Sequence, residues 1–242
     1  MAHGEESPGA KVSEHFTRLA MRRQAGEPIA YLVGMREFHG LSLTVNPSVL
    51  IPRPETELLV ELATALCPQS ARALDLGTGS GAIALALADA RPDLRVVATD
   101  ASEHALETAR ANAQRHPHAG ARIDFRQGDW WHAVRADERF ACVVANPPYL
   151  AEDDPHLREG DLRSEPRSAL VSGASGLEAL DTIAGGALEH LEPGGWLMLE
   201  HGREQGEAAR RLLSGHRLQA VRTERDLAGH DRVTLGRAPS PR

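Results

Sequence analysis

The run Ala71-Arg-Ala-Leu-Asp-Leu-Gly-Thr-Gly-Ser-Gly81 constrains this chain more tightly than any other. It reads as a strand that stops at three glycines spaced two apart and passes straight into a helix expected over 80–90. Glycine lets the backbone turn sharply and approach a ligand with no Cβ in the way. A strand, a glycine turn and a helix in that order open a parallel α/β unit, whose ligand site lies at the carboxyl ends of the strands.

The alternation continues along the chain. Strands are expected at 71–76, 94–99, 122–126, 140–145 and 195–200, with helices over 102–115, 177–191 and 204–213, which implies a parallel sheet covered on both faces. Two closing strands, near 218–223 and 232–235, are close enough in sequence to form an antiparallel hairpin. Upstream, Phe16, Leu19 and Ala20 recur at helical spacing within 13–25, and Gly26-Glu-Pro28 stops the pattern. Residues 38–45 alternate Leu41, Leu43 and Val45 as a hairpin strand does, with a second strand expected at Val49–Ile51. Pro54, Glu55 and Glu57 suit the start of a helix that reaches about Leu66. The expected division is a disordered tail over 1–10, a short helical segment over 11–34, and one large domain over 35–238 that includes a β-hairpin at 35–52. The irregular stretch 150–175 is long for a compact domain, and its position directly after the fourth strand favours a functional role.

Composition removes several classes. The two cysteines, Cys67 and Cys142, sit in no metal-ligand spacing, and the twelve histidines are scattered, so neither a disulfide scaffold nor a metal site is expected. No apolar run approaches the roughly eighteen residues that span a bilayer, and the first residues lack the apolar core of a signal peptide, so a cytoplasmic protein without a membrane partner is expected. A net charge of -7 argues against stable nucleic-acid binding, which draws on dense Lys and Arg.

The glycine spacing here is GxGxG, where a dinucleotide-binding turn has GxGxxG and uses its helix N-terminus for pyrophosphate. A donor without phosphate but with a sulfonium and an amino group, S-adenosylmethionine, suits this loop and the carboxylate of Asp75 beside it. Gly77, Thr78, Gly79, Ser80 and Gly81 are then candidate cofactor-binding residues. Asp100 ends the next strand, nineteen residues beyond Gly81, where its carboxylate can accept both hydroxyls of a ribose. In Gln127-Gly-Asp-Trp-Trp131, Asp129 is expected to accept from the adenine amino group and Trp130 to pack on the ring, although either tryptophan could do so.

Asn146-Pro-Pro-Tyr149 follows the fourth strand on the same rim. An amide or ring amino nitrogen is a weak nucleophile because its lone pair is delocalised. Two fixed acceptors on its N–H groups, the Asn146 side-chain carbonyl and the Pro147 backbone carbonyl, can favour a pyramidal nitrogen aimed at the methyl. Tyr149 adds a flat apolar face. The catalytic candidates are Asn146, Pro147 and Tyr149; Pro148 joins them in holding substrate, and Asn146 also borders the cofactor.

With these motifs the segment from about Gly26 to Arg237 resembles the PrmC/HemK family of peptide chain release factor glutamine methyltransferases. The resemblance rests on Gly26-Glu-Pro-Ile-Ala-Tyr-Leu-Val-Gly34, Glu37-Phe38, Val49-Leu-Ile-Pro-Arg-Pro-Glu-Thr-Glu57, Asp75–Gly81, Asn146–Tyr149 and Asp231-Arg-Val-Thr-Leu-Gly236. It implies a Rossmann-like, seven-stranded S-adenosylmethionine-dependent methyltransferase sheet behind a short, truncated remnant of an N-terminal helical domain. It also implies transfer to the glutamine of the Gly-Gly-Gln loop of class I release factors, with S-adenosylhomocysteine as product and a place in translation termination. Asn146 and Pro147 would hold the target amide, and Gly77, Gly79, Gly81, Asp100 and Trp130 would line the donor site. The rivals are an adenine-N6 nucleic-acid methyltransferase, which would need a base-extruding recognition module not visible here, a glutamine methyltransferase acting on a ribosomal protein, and a catalytically idle cofactor-binding protein.

Overall fold

The computed structural model describes residues 9–240. The tail expected over 1–10 falls on residues 1–8, outside the described residues, except for its last two, of which Ala10 already begins a helix. Two helices lead in, α1 (Ala10–Gln24) and α2 (Ile29–Val33), followed by a hairpin of β1 (Met35–Phe38) and β2 (Leu41–Thr44). The main domain runs α3 (Glu57–Leu66), β3 (Arg72–Leu76), α4 (Ala82–Ala90), β4 (Arg95–Asp100), α5 (Glu103–Arg115), α6 (Pro117–Gly120), β5 (Ile123–Gln127) and β6 (Phe140–Ala145). It closes with α7 (Glu178–His190), β7 (Leu191–Glu200), α8 (Gly206–Gly215), β8 (Gln219–Arg225) and β9 (Asp231–Arg237).

Seven strands form one sheet in the order β5-β4-β3-β6-β7-β9-β8, all parallel except β9, which runs antiparallel to both of its neighbours. Successive side chains of β3 and β6 point to opposite faces, so each strand feeds two cores. On one face Ala73, Cys142 and Val144 pack with Leu59 and Val60 of α3 and with the apolar side of α4. On the other, Leu74, Leu76, Val143 and Ala145 meet Leu180, Ile183 and Ala184 of α7 and Leu213 of α8. Chain order reverses direction between β3 and β6, and a crevice opens at that switch point.

The hairpin differs from the expectation. Its turn is His39-Gly40, both at positive φ (49° and 78°), and the second strand is 41–44. Such a two-residue turn matches the twist of its strands. Its amides are held by carboxylates, His39 N donating to Glu57 at 3.0 Å and Gly40 N to Glu37 at 2.6 Å. Val49–Ile51 is therefore no strand, and the hairpin ends at Thr44 instead of 52. Asn112 of α5, wholly buried, pins Thr44 with two bonds (2.7 and 3.0 Å) and accepts no freedom for the glycine loop either, donating to the Ser80 carbonyl at 2.9 Å.

Two neighbouring glycines in α7 face different surroundings. A Cβ on Gly186 would run into the Trp131 indole, whereas one on Gly185 would stand 3.5 Å from the His216 ring, an ordinary contact. Gly186→Ala is expected to destabilise the fold by about 1–3 kcal/mol through overpacking. Gly185→Ala should stabilise it by roughly 0.5–1 kcal/mol through helix propensity. Urea unfolding of both variants checks this, and equal effects of the same sign would contradict the packing.

Candidate active site

The site is assembled by strand register. Leu76 of β3 pairs with Thr99 of β4 and with Ala145 of β6, and Ala145 pairs with Leu199 of β7. One residue further along, the four strands deliver Gly77, Asp100, Asn146 and Glu200 in a row. These residues come from four separate parts of the sequence. Parallel pairing alone brings them together.

The glycine loop is tied to the row. Gly77 N and Thr78 N both donate to the Thr99 carbonyl (2.9 and 2.8 Å), and Gly77 has φ +75°. Asp75 does not face the crevice as the sequence suggested. It is fully buried under the loop, and its Oδ2 accepts from Thr78 Oγ1 at 2.7 Å and from Ala84 N at 3.2 Å. Asp75 is thus a strut between loop and helix. Gly81 is likewise no wall of the cavity: a Cβ there would stand 3.2 Å from Ala109 of α5, so the glycine permits helix packing.

The row opens into a cavity of about 360 Å³, lined by Gly77, Thr78, Gly79, Ser80, Asp100 and Asn146 among others. Asp100 accepts from Gly79 N and from Ser102 N, both at 2.9 Å, which leaves lone pairs on both oxygens for a ligand. Burial pushes its carboxyl above the usual range, and the two amides pull the other way. Asp129 and Trp130 also border this cavity. The two tryptophans have different surroundings. The Trp130 ring lies against Gly77, while Trp131 stacks on His190 (5.0 Å between centroids) and donates to the Ile183 carbonyl at 3.2 Å. Trp131 is a packing residue.

A second cavity, about 460 Å³, shares Asn146 with the first and takes in Tyr149, Arg53, Gln205 and Arg232. Asn146 Nδ2 donates to Thr56 Oγ1 at 3.2 Å, while its Oδ1 is buried with no partner among the described residues. Gln205 fixes the backbone here, donating to the Tyr149 carbonyl at 2.9 Å. Burial pushes the Tyr149 phenol up to about 12, so it stays neutral. Pro148 lines the first cavity; Pro147 is buried and lines neither, though nothing among the described residues donates to its carbonyl.

Sequence reasoning missed several walls. Ser48, Val49, Leu50 and Pro52, in and around the strand expected at 49–51, line the first cavity as irregular chain. The stretch 150–175 contributes Pro166, Ser168 and Ala169 to the first cavity and Leu150 and Leu170 to the second. It is clamped by the buried Glu165, which accepts from Ile51 N at 3.0 Å and from the Arg53 guanidinium. Thr56 and Glu200 carried no sequence signal, since a threonine at a helix start and a glutamate after a strand are common.

Residues 54–160 match the family model described as the methyltransferase small domain. A release factor glutamine methyltransferase of Xylella fastidiosa is 51% identical over 98% of this chain and 86% of its own length. Another, from Neisseria gonorrhoeae, is 50% identical over 97% of this chain and 85% of its own. The chain belongs to the release factor glutamine methyltransferase family. Its fold is shared by a methyltransferase of Pyrococcus furiosus whose crystal structure has a TM-score of 0.62 at 18% identity, covering 93% of this chain and all of that one. As a release factor glutamine methyltransferase family member it is an enzyme with the α/β methyltransferase fold. Among its described residues no helix is long and apolar enough to cross a membrane.

Two buried carboxyls give this family member a defined pH response. Desolvation pushes Asp75, ordinarily 3.8, up to about 7, and does the same to Glu200, ordinarily 4.5. The native state then keeps a proton that the unfolded chain has released, so the contribution is complete below about pH 4 and lost as pH rises towards about 7. Asp75→Asn removes the proton exchange. Its stability relative to the wild type should rise between about pH 4 and about pH 7 and level off above, as followed by urea unfolding. A difference independent of pH would mean that Asp75 is ionised throughout.

Proposed function

We propose that this chain transfers the methyl group of S-adenosylmethionine to the side-chain amide nitrogen of the glutamine in the Gly-Gly-Gln loop of class I peptide chain release factors. The single observation that carries it is the buried, unpartnered Oδ1 of Asn146 at the junction of two cavities, in a chain about half identical to curated enzymes of that name. A buried acceptor without a donor is costly unless a ligand supplies one. An amide NH2 is such a ligand.

The first cavity fits an adenosine-bearing donor. Asp100 has lone pairs free for a ribose diol, the Trp130 ring offers a flat apolar surface, and Gly77 leaves the backbone bare beneath it. S-adenosylmethionine held there supplies an electrophilic methyl on a cationic sulfur. In the second cavity Asn146 Oδ1 accepts one N–H of the glutamine amide, and the undonated Pro147 carbonyl is available to the other. Held so, the nitrogen would present its lone pair to the methyl, the leaving thioether would be S-adenosylhomocysteine, and the proton lost on forming the N-methyl amide would pass to solvent. Tyr149, neutral and partly buried, supplies a wall instead of a base. A release factor acts where ribosomes terminate, so the enzyme works in the cytoplasm with a protein partner and needs neither stable nucleic acid nor a membrane.

Methyl-labelled donor should therefore mark a purified class I release factor at the glutamine, and leave duplex DNA and ribosomal protein unlabelled. Label in DNA with an unmarked release factor would reverse the reading. Within the site, Asn146→Ala should lower kcat roughly 100- to 1000-fold by removing an acceptor of the reacting group. Asp100→Ala should weaken S-adenosylhomocysteine about 10- to 100-fold in calorimetry, the value of a charge-assisted bond. Unchanged affinity would move the ribose elsewhere.

A further inference from the structure

The two ends of the Asn146 side chain differ only in carrying oxygen or NH2, and nothing in the residue itself decides which end faces the cavities. Its one hydrogen-bond partner among the described residues is Thr56, in the turn before α3, where Oγ1 accepts from Nδ2. Thr56 is 4% exposed, and no water competes easily for its hydroxyl. That hydroxyl has a single proton, and the acceptor it meets is the Glu200 carboxylate at the end of β7, buried with its Oε2 unpartnered and favoured in its ionised form by Thr56. With the proton committed, Thr56 can only accept. The asparagine must then turn its NH2 inward and its carbonyl outward.

We propose that Thr56 and Glu200 are positioning residues, and that a one-way hydrogen-bond chain from Asn146 Nδ2 through the Thr56 hydroxyl to the Glu200 carboxylate holds the Asn146 carbonyl towards the acceptor nitrogen. The inference rests on the reading of Asn146 given above. The pieces come from three elements: Asn146 and Glu200 from the row at the strand ends, and Thr56 from the segment 52–57 that crosses it.

The direction of the chain depends on the charge of Glu200. The groups that face it are Arg232 of β9 and Arg53, which favour the carboxylate, Glu55, which opposes it, and the neutral Tyr149. Burial is the largest influence, and the carboxyl titrates at about 7. Once protonated, Glu200 can itself donate to Thr56 Oγ1. The threonine proton is then free to bond the Asn146 carbonyl, which draws that carbonyl away from the substrate.

The test uses the purified enzyme and a purified class I release factor. Thr56→Val keeps the side-chain size and removes the hydroxyl; kcat should fall roughly 10- to 100-fold from misorientation of the asparagine. The KM for release factor should stay within about twofold. Thr56→Ser should restore most of kcat. In the wild type kcat should decline on the acid side of about pH 7, and in Glu200→Gln, whose carboxamide accepts from Thr56 at every pH, that decline should vanish. Wild-type kcat in Thr56→Val, a loss confined to KM, or an acid decline that persists in Glu200→Gln would each overturn the inference. If Thr56→Val does not fold, the pH profile of Glu200→Gln decides alone. A wild type that fails to label release factor sinks the functional reading instead, so the two failures are separable.

Discussion

The parallel register of β4, β3, β6 and β7 is the constraint on which the rest depends. Each of these strands ends at the same level, and the residue after each pairing is Gly77, Asp100, Asn146 or Glu200. A shift of one residue in any strand would exchange its two faces. In β6 that would turn Val143 and Ala145, which meet α7, towards the α3 and α4 side. The two apolar cores therefore hold the register, and the register holds the site. Packing and chemistry are coupled through strand alternation instead of through any direct contact.

Around that row the molecule accepts interactions that a purely structural protein would avoid. Asp75 and Glu200 are carboxyls taken wholly out of water, each with one oxygen unpartnered, and Asn146 Oδ1 is unpartnered too. Desolvation of such groups opposes folding. The opposing contributions are local. Asp75 takes two bonds from loop and helix, and Glu165 ties the long segment after β6 to Ile51 and Arg53, closing the wall that both cavities share. Both cavities are thus built mostly of irregular chain fastened to a rigid sheet edge.

Much of this could be read from residue order. Strands at 71–76, 94–99, 122–126 and 140–145, the terminal hairpin and the glycine turn follow from apolar patterning and glycine placement, and the structure has each within a few residues. Other features had no local signature. His39-Gly40 lacks the usual asparagine of its turn, so the alternation of 41–45 points on to a strand at 49–51 that does not form. Gly81 looks like its neighbours in sequence but faces Ala109, and Trp131 looks like Trp130 but faces His190.

By itself the sequence determined the class of fold, the place of the crevice and the chemical type of the reacting motif, because strand period, glycine freedom and the donor or acceptor character of Asn146 are properties of short segments. Only the tertiary structure decided which groups meet. Thr56 and Asn146 lie ninety residues apart and touch at 3.2 Å, and Glu200, still further along, stands in the same row of strand ends. Hydrogen-bond direction is a property of the whole chain of partners, and those partners are brought together by sheet register, which no short stretch of sequence encodes.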